Sequence, residues 1–215
     1  FKKNIGQNVN QWVRNLTFDS LSRLNIKSLN CMYIHDSNSI LNIHGEKIYN
    51  ALIELKEEKI IDNIGISVYS PKELDEVLKQ FNFDYVQIPI NILDQRFLKD
   101  DYLAKLSSKN IFIQARSVFL QGLLLLTKKK LEKMFDNSDQ IWSIWHEWIM
   151  DNNLDQLEAC LSFVFHLVEV NEIIIGVGSF DNLKEIINSV NKEIPRFPIE
   201  LINQDSPFLD PRNWS

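Results

Sequence analysis

Five apolar segments of this 215-residue chain end in, or carry, a side chain able to do chemistry. Ser28-Leu29-Asn30-Cys31-Met32-Tyr33-Ile34 stops at His35-Asp36, and a histidine at such an end either caps the strand or hydrogen-bonds a reacting group. The run Ile60 to Ile66 gives way to Ser67 and Ser70, followed by Pro71 at the first turn of the next helix. Gln87 interrupts Tyr85-Val86-Gln87-Ile88-Pro89 and needs a hydrogen-bond partner, which is either a neighbouring backbone group or a ligand amide. Arg116 closes Ile111-Phe112-Ile113-Gln114-Ala115, a costly place for a cation without an anion or a stacking partner. Gly176-Val177-Gly178-Ser179 follows the run Glu172 to Ile175 and precedes a helix, where free N–H groups suit a phosphate; glycines in such turns also serve positive φ.

The elements that must position these residues alternate. Helical periodicity covers Val9 to Leu24, with apolar Val9, Trp12, Val13, Leu16, Leu21 and Leu24. It recurs at Gly45 to Lys59, Pro71 to Gln80, Asp101 to Ser108, Asp139 to Met150, Leu154 to Val168 and Asp181 to Val190. Strands separated by helices predict βαβ units and a parallel sheet, here with five strands and about seven helices. Such a sheet is either doubly wound or part of an eight-stranded barrel, and in both the ligand meets the strand exits.

Composition narrows the class. Hydrophobic residues make up 45% and charged residues 24%, enough for one sizeable core. We expect one domain over residues 1–194 and a proline-punctuated tail over 195–215 that packs on it or serves a homodimer contact. A net charge of -6 and a pI near 5.3 exclude a basic nucleic-acid surface, and Lys128-Lys129-Lys130 reads as a solvated loop or helix start. No apolar run approaches the ~20 residues of a membrane span. Cys31 and Cys160 read as small buried side chains of a reducing, cytoplasmic compartment, without metal spacing. His44 and His146 are assigned to the surface and His166 to the interior of an apolar helix. The first residue is Phe1, which leads us to expect an N-terminal portion beyond this sequence.

Taken together, Ser20 to Leu24, Tyr33-Ile34-His35-Asp36, Ile64-Gly65-Ile66-Ser67, Val86-Gln87-Ile88-Pro89, Gln114-Ala115-Arg116-Ser117 with Gln121-Gly122-Leu123-Leu124, and Ile174-Ile175-Gly176-Val177-Gly178-Ser179 resemble the aldo/keto reductase family, in order along the chain. The ending Asp210-Pro211-Arg212-Asn213-Trp214 is similar to that of a bacterial subgroup found with surface-polysaccharide genes. The resemblance implies a TIM-like (α/β)8 barrel of which this chain supplies about strands 4 to 8. It also implies NADP or NAD as cofactor and a small-molecule carbonyl substrate reduced by hydride transfer. By that resemblance His35 is the histidine that orients the carbonyl, and Ser67 and Gln87 hold the nicotinamide carboxamide. Arg116 stands where many members place an aromatic ring, and Ser117, Phe119 and Gln121 match the segment after the pyrophosphate. Gly176, Val177, Gly178, Asn182 and Glu185 match the loop and helix at the adenosine end.

Departures accompany the matches. Val68 replaces an asparagine beside the serine, Ile186 an adenine-contacting asparagine, and Gly176 and Asn182 the Lys and Arg with which NADPH-preferring members hold the 2′-phosphate. The family's general-acid tyrosine and its aspartate belong to the first half of the barrel, and no segment here resembles them. Lys2, which stands 33 positions before His35, is either a solvated lysine or the lysine that tunes that tyrosine. Two functions therefore stand: a reductase completed by further N-terminal strands, and a non-catalytic relative that keeps the barrel shape for binding or scaffolding.

Overall fold

A computed structural model describes residues 8–134, 140–189, 194–195, 197, 201–202 and 209–213. Helices α1 (Val9–Leu24), α2 (Ser37–Ile40), α3 (Gly45–Glu57), α4 (Pro71–Leu78) and α5 (Tyr102–Ser108) alternate with strands β1 (Leu29–Ile34), β2 (Ile61–Ser67) and β3 (Tyr85–Pro89). After β4 (Phe112–Arg116) come α6 (Lys128–Met134), α7 (Gln140–Asp151), α8 (Gln156–Phe165), β5 (Glu172–Ile173) and α9 (Phe180–Ser189). The strands form one parallel sheet in the order β1-β2-β3-β4-β5. Every strand lies beside its neighbour in sequence, so the winding never reverses as it must in a doubly wound sheet. This is the winding of a barrel, and the fold is a partial TIM-like (α/β)8 barrel. Among the described residues no helix is long and apolar enough to cross a membrane.

The chain divides into two compact units, the first comprising Phe1–Gln87 and Leu106–Phe112, the second Ile88–Lys105 and Ile113–Ser215. In the first, alternation along the strands separates two faces. Ile64, Ile66 and Val86 point one way and are 0–1% exposed, each burial contributing about 1.5–3 kcal/mol. Helix α3 presents Ile48, Ala51, Leu52 and Leu55, and α1 presents Val9, Val13 and Leu21, as buried stripes at helical spacing. Leu16 and Leu24 of α1 are exposed instead.

The opposite face carries half-buried Cys31, Tyr33, Asn63, Tyr85 and Gln87 around buried Gly65. Tyr33 and Tyr85 are the register partners of Gly65 on either side, and their rings meet edge to face at 6.4 Å. Tyr85 then stacks on Phe112 at 4.4 Å. Glycine is required here by space rather than by φ, because a Cβ on Gly65 would lie 2.5 Å from Tyr33 Cε1. At the strand entrances Asp84 ties three strands: its carboxylate accepts from Ile64 N–H (2.8 Å) and Lys56 Nζ (2.6 Å), and its carbonyl accepts from Phe112 N–H (2.8 Å).

The second unit is built on Ile88, Ile113, Ala115, Trp145, Cys160 and Leu161, all 0–1% exposed. Trp145 donates its indole N–H to Leu124 O (3.3 Å) and stacks on Trp148, which Phe197 meets edge to face at 5.3 Å. Lys128 to Lys130 start α6, the second of the two readings the sequence leaves open. Cys160 is fully buried, and that burial, with the charge of Asp155, pushes its thiol above the ordinary range. Cys31 is half-exposed rather than buried, because it lies on the polar face of β1. His166 is exposed, against expectation: α8 stops at Phe165, and His166 is its C-cap, with Nδ1 2.7 Å from Ser162 O. His44 and His146 are half-buried rather than on the surface, His44 as the N-cap of α3 and His146 within α7. The strand expected to run to Ile175 is assigned only to Ile173, although Ile174 N–H still donates to Ala115 O (2.8 Å).

Substituting Gly65→Ala should lower stability by about 1–3 kcal/mol, because a stiff aromatic ring must move to admit the methyl group. Urea unfolding of the variant against wild type checks this, and Gly65→Ala should cost less when introduced into a Tyr33→Ala background than into wild type.

Candidate functional site

The last residue of β2 meets the middle residue of β3. The parallel register sets Ser67 opposite Gln87, and Ser67 Oγ donates to Gln87 Oε1 at 3.2 Å. The partner that Gln87 needs is thus a side chain from the adjacent strand, one layer beyond the Tyr33–Gly65–Tyr85 row. Ser67 is 4% exposed and Gln87 half-buried, so the pair presents amide and hydroxyl groups over an aromatic floor. Val68 N–H donates to Gln87 O (3.1 Å), which extends the ladder past Ser67 and fixes the hydroxyl.

The loop beyond Ser67 is held by capping of α4. Ser70 Oγ accepts from Glu73 N–H (3.2 Å), Glu73 Oε2 accepts from Tyr69 N–H (2.7 Å), and Pro71 takes the first helical turn. At the β1 exit His35 is exposed. Asp36 serves the backbone, not His35: it caps α2 through Asn38 N–H (3.0 Å) and also accepts from Asn38 Nδ2 (3.0 Å). His35 borders an apolar cavity of about 110 Å³ together with Trp12 and Leu16 of α1 and Leu52 of α3. The short helix α2 after His35 carries no periodic signal and was not predicted.

In the second unit Arg116 Nη1 donates to Ser117 Oγ (3.1 Å), a partner supplied by the next residue. The turn that follows is left-handed at Ser117 (φ 58°), Leu120 (46°), Gln121 (55°) and Gly122 (91°). Three of these are not glycine, a conformation that costs free energy and persists where neighbours hold it. Phe119 is half-buried and Gln121 exposed. After β5, Gly176, Val177 and Gly178 are exposed, and neither glycine has anything within 4 Å of an added Cβ. Ser179 Oγ accepts from Asn182 N–H (3.1 Å), and Asn182 Oδ1 lies 3.5 Å from Gly178 N, so Asn182 shapes the loop; Glu185 is exposed. Lys2 lies outside the described residues.

Sequence reasoning missed a buried polar cluster after β3. Asn91 and Asp94 are both fully buried. Asp94 accepts from Arg96 Nε and Nη2, both at 2.7 Å, in a two-pronged ion pair. Arg96 also helps Arg212 hold the Asp210 carboxyl below its usual range, against the opposing effect of burial. The run Asn91-Ile92-Leu93-Asp94-Gln95-Arg96 has no helical or strand period; its one signal is two short polar residues, of the kind that bond their own backbone, among apolar neighbours.

Comparison with known proteins places this geometry in context. The sequence pattern of the aldo/keto reductase family matches residues 4–204. The "Uncharacterized oxidoreductase YqkF" of Bacillus subtilis (strain 168) is 24% identical over an alignment of 191 residues that covers 84% of this chain and 60% of that protein. The chain thus spans less than two thirds of that relative's length. Among solved structures, the aldo-keto reductase AKR11C1 from Bacillus halodurans superposes in its holo form with a TM-score of 0.71 at 18% identity, covering 93% of this chain and 70% of that one. Its apo form gives 0.68 at 18% identity, covering 89% and 66%. The glycerol dehydrogenase AKR11B4 from Gluconobacter oxydans gives 0.58 at 17% identity, covering 84% and 64%. At these identities the likeness bears on the fold alone.

Replacing Asp94 with Ala should destabilise the protein by about 2–4 kcal/mol, since it removes one partner of a buried ion pair. Chemical denaturation measures this, and Asp94→Asn should cost less because one acceptor oxygen remains.

Proposed function

Because this chain belongs to the aldo/keto reductase family, we propose that it forms the cofactor-holding part of an NAD(P)H-dependent reductase acting on an aldehyde, a ketone or a sugar-type carbonyl. The observation that carries the reading is the contact of Ser67, at the exit of β2, with Gln87 of the adjacent strand. A serine hydroxyl and a glutamine amide side by side offer both donors and acceptors, the complement of a carboxamide. The glycine loop fits the other end of a dinucleotide, since Gly176 and Gly178 leave open backbone where a side chain would stand.

In this reading the nicotinamide, when bound, supplies a hydride to the carbonyl carbon. The chain's own residues bind and orient. Ser67 and Gln87 hold the carboxamide; Arg116, Ser117, Phe119 and Gln121 are assigned, by their match to the family's segment, to the pyrophosphate. Gly176, Val177, Gly178, Asn182 and Glu185 take the adenosine end. His35 donates a hydrogen bond to the carbonyl oxygen, which favours the charge that develops there. Lys2 is kept as the candidate lysine beside the proton donor, which this reading assigns to the first half of the barrel. Between Gly176 and Glu185 the one cation is Lys184, set against Asp181 and Glu185. With so little positive charge the loop favours NADH at least as much as NADPH.

His35→Ala should lower turnover of a small aldehyde about 10²- to 10³-fold while leaving the dissociation constant for reduced dinucleotide within about twofold. Steady-state kinetics with a tryptophan-fluorescence titration of NADH and NADPH separate the two effects. Unchanged turnover removes His35 from the chemistry. No quenching at millimolar dinucleotide supports the non-catalytic alternative.

A further inference from the structure

A fully buried asparagine outside every residue assigned above reaches the strained turn. Asn91 Oδ1 accepts from Leu93 N–H (3.0 Å) and Asp94 N–H (2.9 Å), and its own N–H donates to Asp94 O (3.2 Å). This closes a tight turn directly after β3. With its oxygen committed there, the side-chain Nδ2 points away and donates to Ser117 O at 3.1 Å. Ser117 is the first left-handed residue after β4, and its carbonyl also accepts from Leu120 N–H (2.8 Å). The peptide plane after Ser117 is therefore held from two sides. Asn91 is itself immobilised, since Asp94 is clamped by Arg96 and Gln95 Nε2 donates to Ile92 O (2.9 Å). A serine in the left-handed region otherwise prefers to relax, so the conformation depends on what grips its carbonyl.

We propose that Asn91 is a positioning residue for the cofactor: its amide holds Ser117 left-handed and so sets the shape of the 117–122 turn that receives the dinucleotide. The assignment rests on the reductase reading for the ligand, but not for the grip on the turn. Asn91 touches neither substrate nor cofactor; it acts through Ser117.

The test uses Asn91→Ser, whose hydroxyl still accepts from the turn N–H groups but is too short to reach Ser117 O. Hydrogen exchange of the ligand-free protein should show the peptide covering 117–124 exchanging about tenfold faster, with 113–116 and 140–165 at wild-type rates. The dissociation constants for NADH and NADPH should rise about tenfold. Adding Ser117→Gly to Asn91→Ser should restore much of the lost protection, because glycine adopts this φ without a grip, a rescue that general destabilisation would not produce. If Asn91→Ser does not fold, Asn91→Asp takes its place with the same expected direction, since it keeps both acceptor contacts and loses the donor. Unchanged exchange at 117–124 overturns the grip. A loosened turn with unchanged dinucleotide affinity overturns the link to the cofactor. A wild-type protein that binds neither dinucleotide overturns the reductase reading and this role together, with the exchange data still reporting on the grip alone.

Discussion

The first unit depends on a close approach: the Tyr33 ring lies over Gly65 and meets Tyr85 beyond it. With no side chain at Gly65, two aromatic rings from flanking strands share one layer, and Phe112 extends it. That layer fixes the lateral register of β1, β2 and β3, since shifting a strand by one residue would send its ring to the helix-covered face. Register in turn decides which polar residues face each other at the next level. Ser67 and Gln87 are partners because Gly65 and Tyr85 are partners two residues earlier.

Beyond this layer the chain changes from periodic packing to individually bonded loops. Each exit is finished by short-range hydrogen bonding: Asp36 at α2, Ser70 with Glu73 at α4, Ser179 with Asn182 at α9. The turn after β4 differs, since three non-glycine residues are left-handed there and the first is held by Asn91 from another loop. Apolar burial supplies most of the stability of the strands, and the polar loops spend part of it on shape.

Much of this was legible in the sequence, for a physical reason. A polar residue that ends an apolar run marks a strand exit, and one inside such a run must find a partner, so His35, Ser67, Arg116 and the glycine loop stand out by the first sign and Gln87 by the second. The choice of a barrel over a doubly wound sheet was not legible from periodicity, because both arrangements bury the same strand pattern. It came from the resemblance, and the strand order agrees with it. The contact between Ser67 and Gln87 joins residues twenty positions apart and follows from register, which periodicity leaves undefined. His166 was misjudged because α8 is apolar nearly all round, which hides where the helix ends. Asn91 and Asp94 escaped because residues that bond their own backbone leave no repeating pattern.

The central claim is that Ser67 and Gln87, set side by side over the aromatic layer, receive a nicotinamide carboxamide. A crystal structure of the protein grown with NADH or NADPH tests it most directly. The account predicts the carboxamide within hydrogen-bonding distance, about 2.7–3.2 Å, of both Ser67 Oγ and the Gln87 side chain. A dinucleotide bound elsewhere on the molecule, with the Ser67–Gln87 contact untouched, would contradict it.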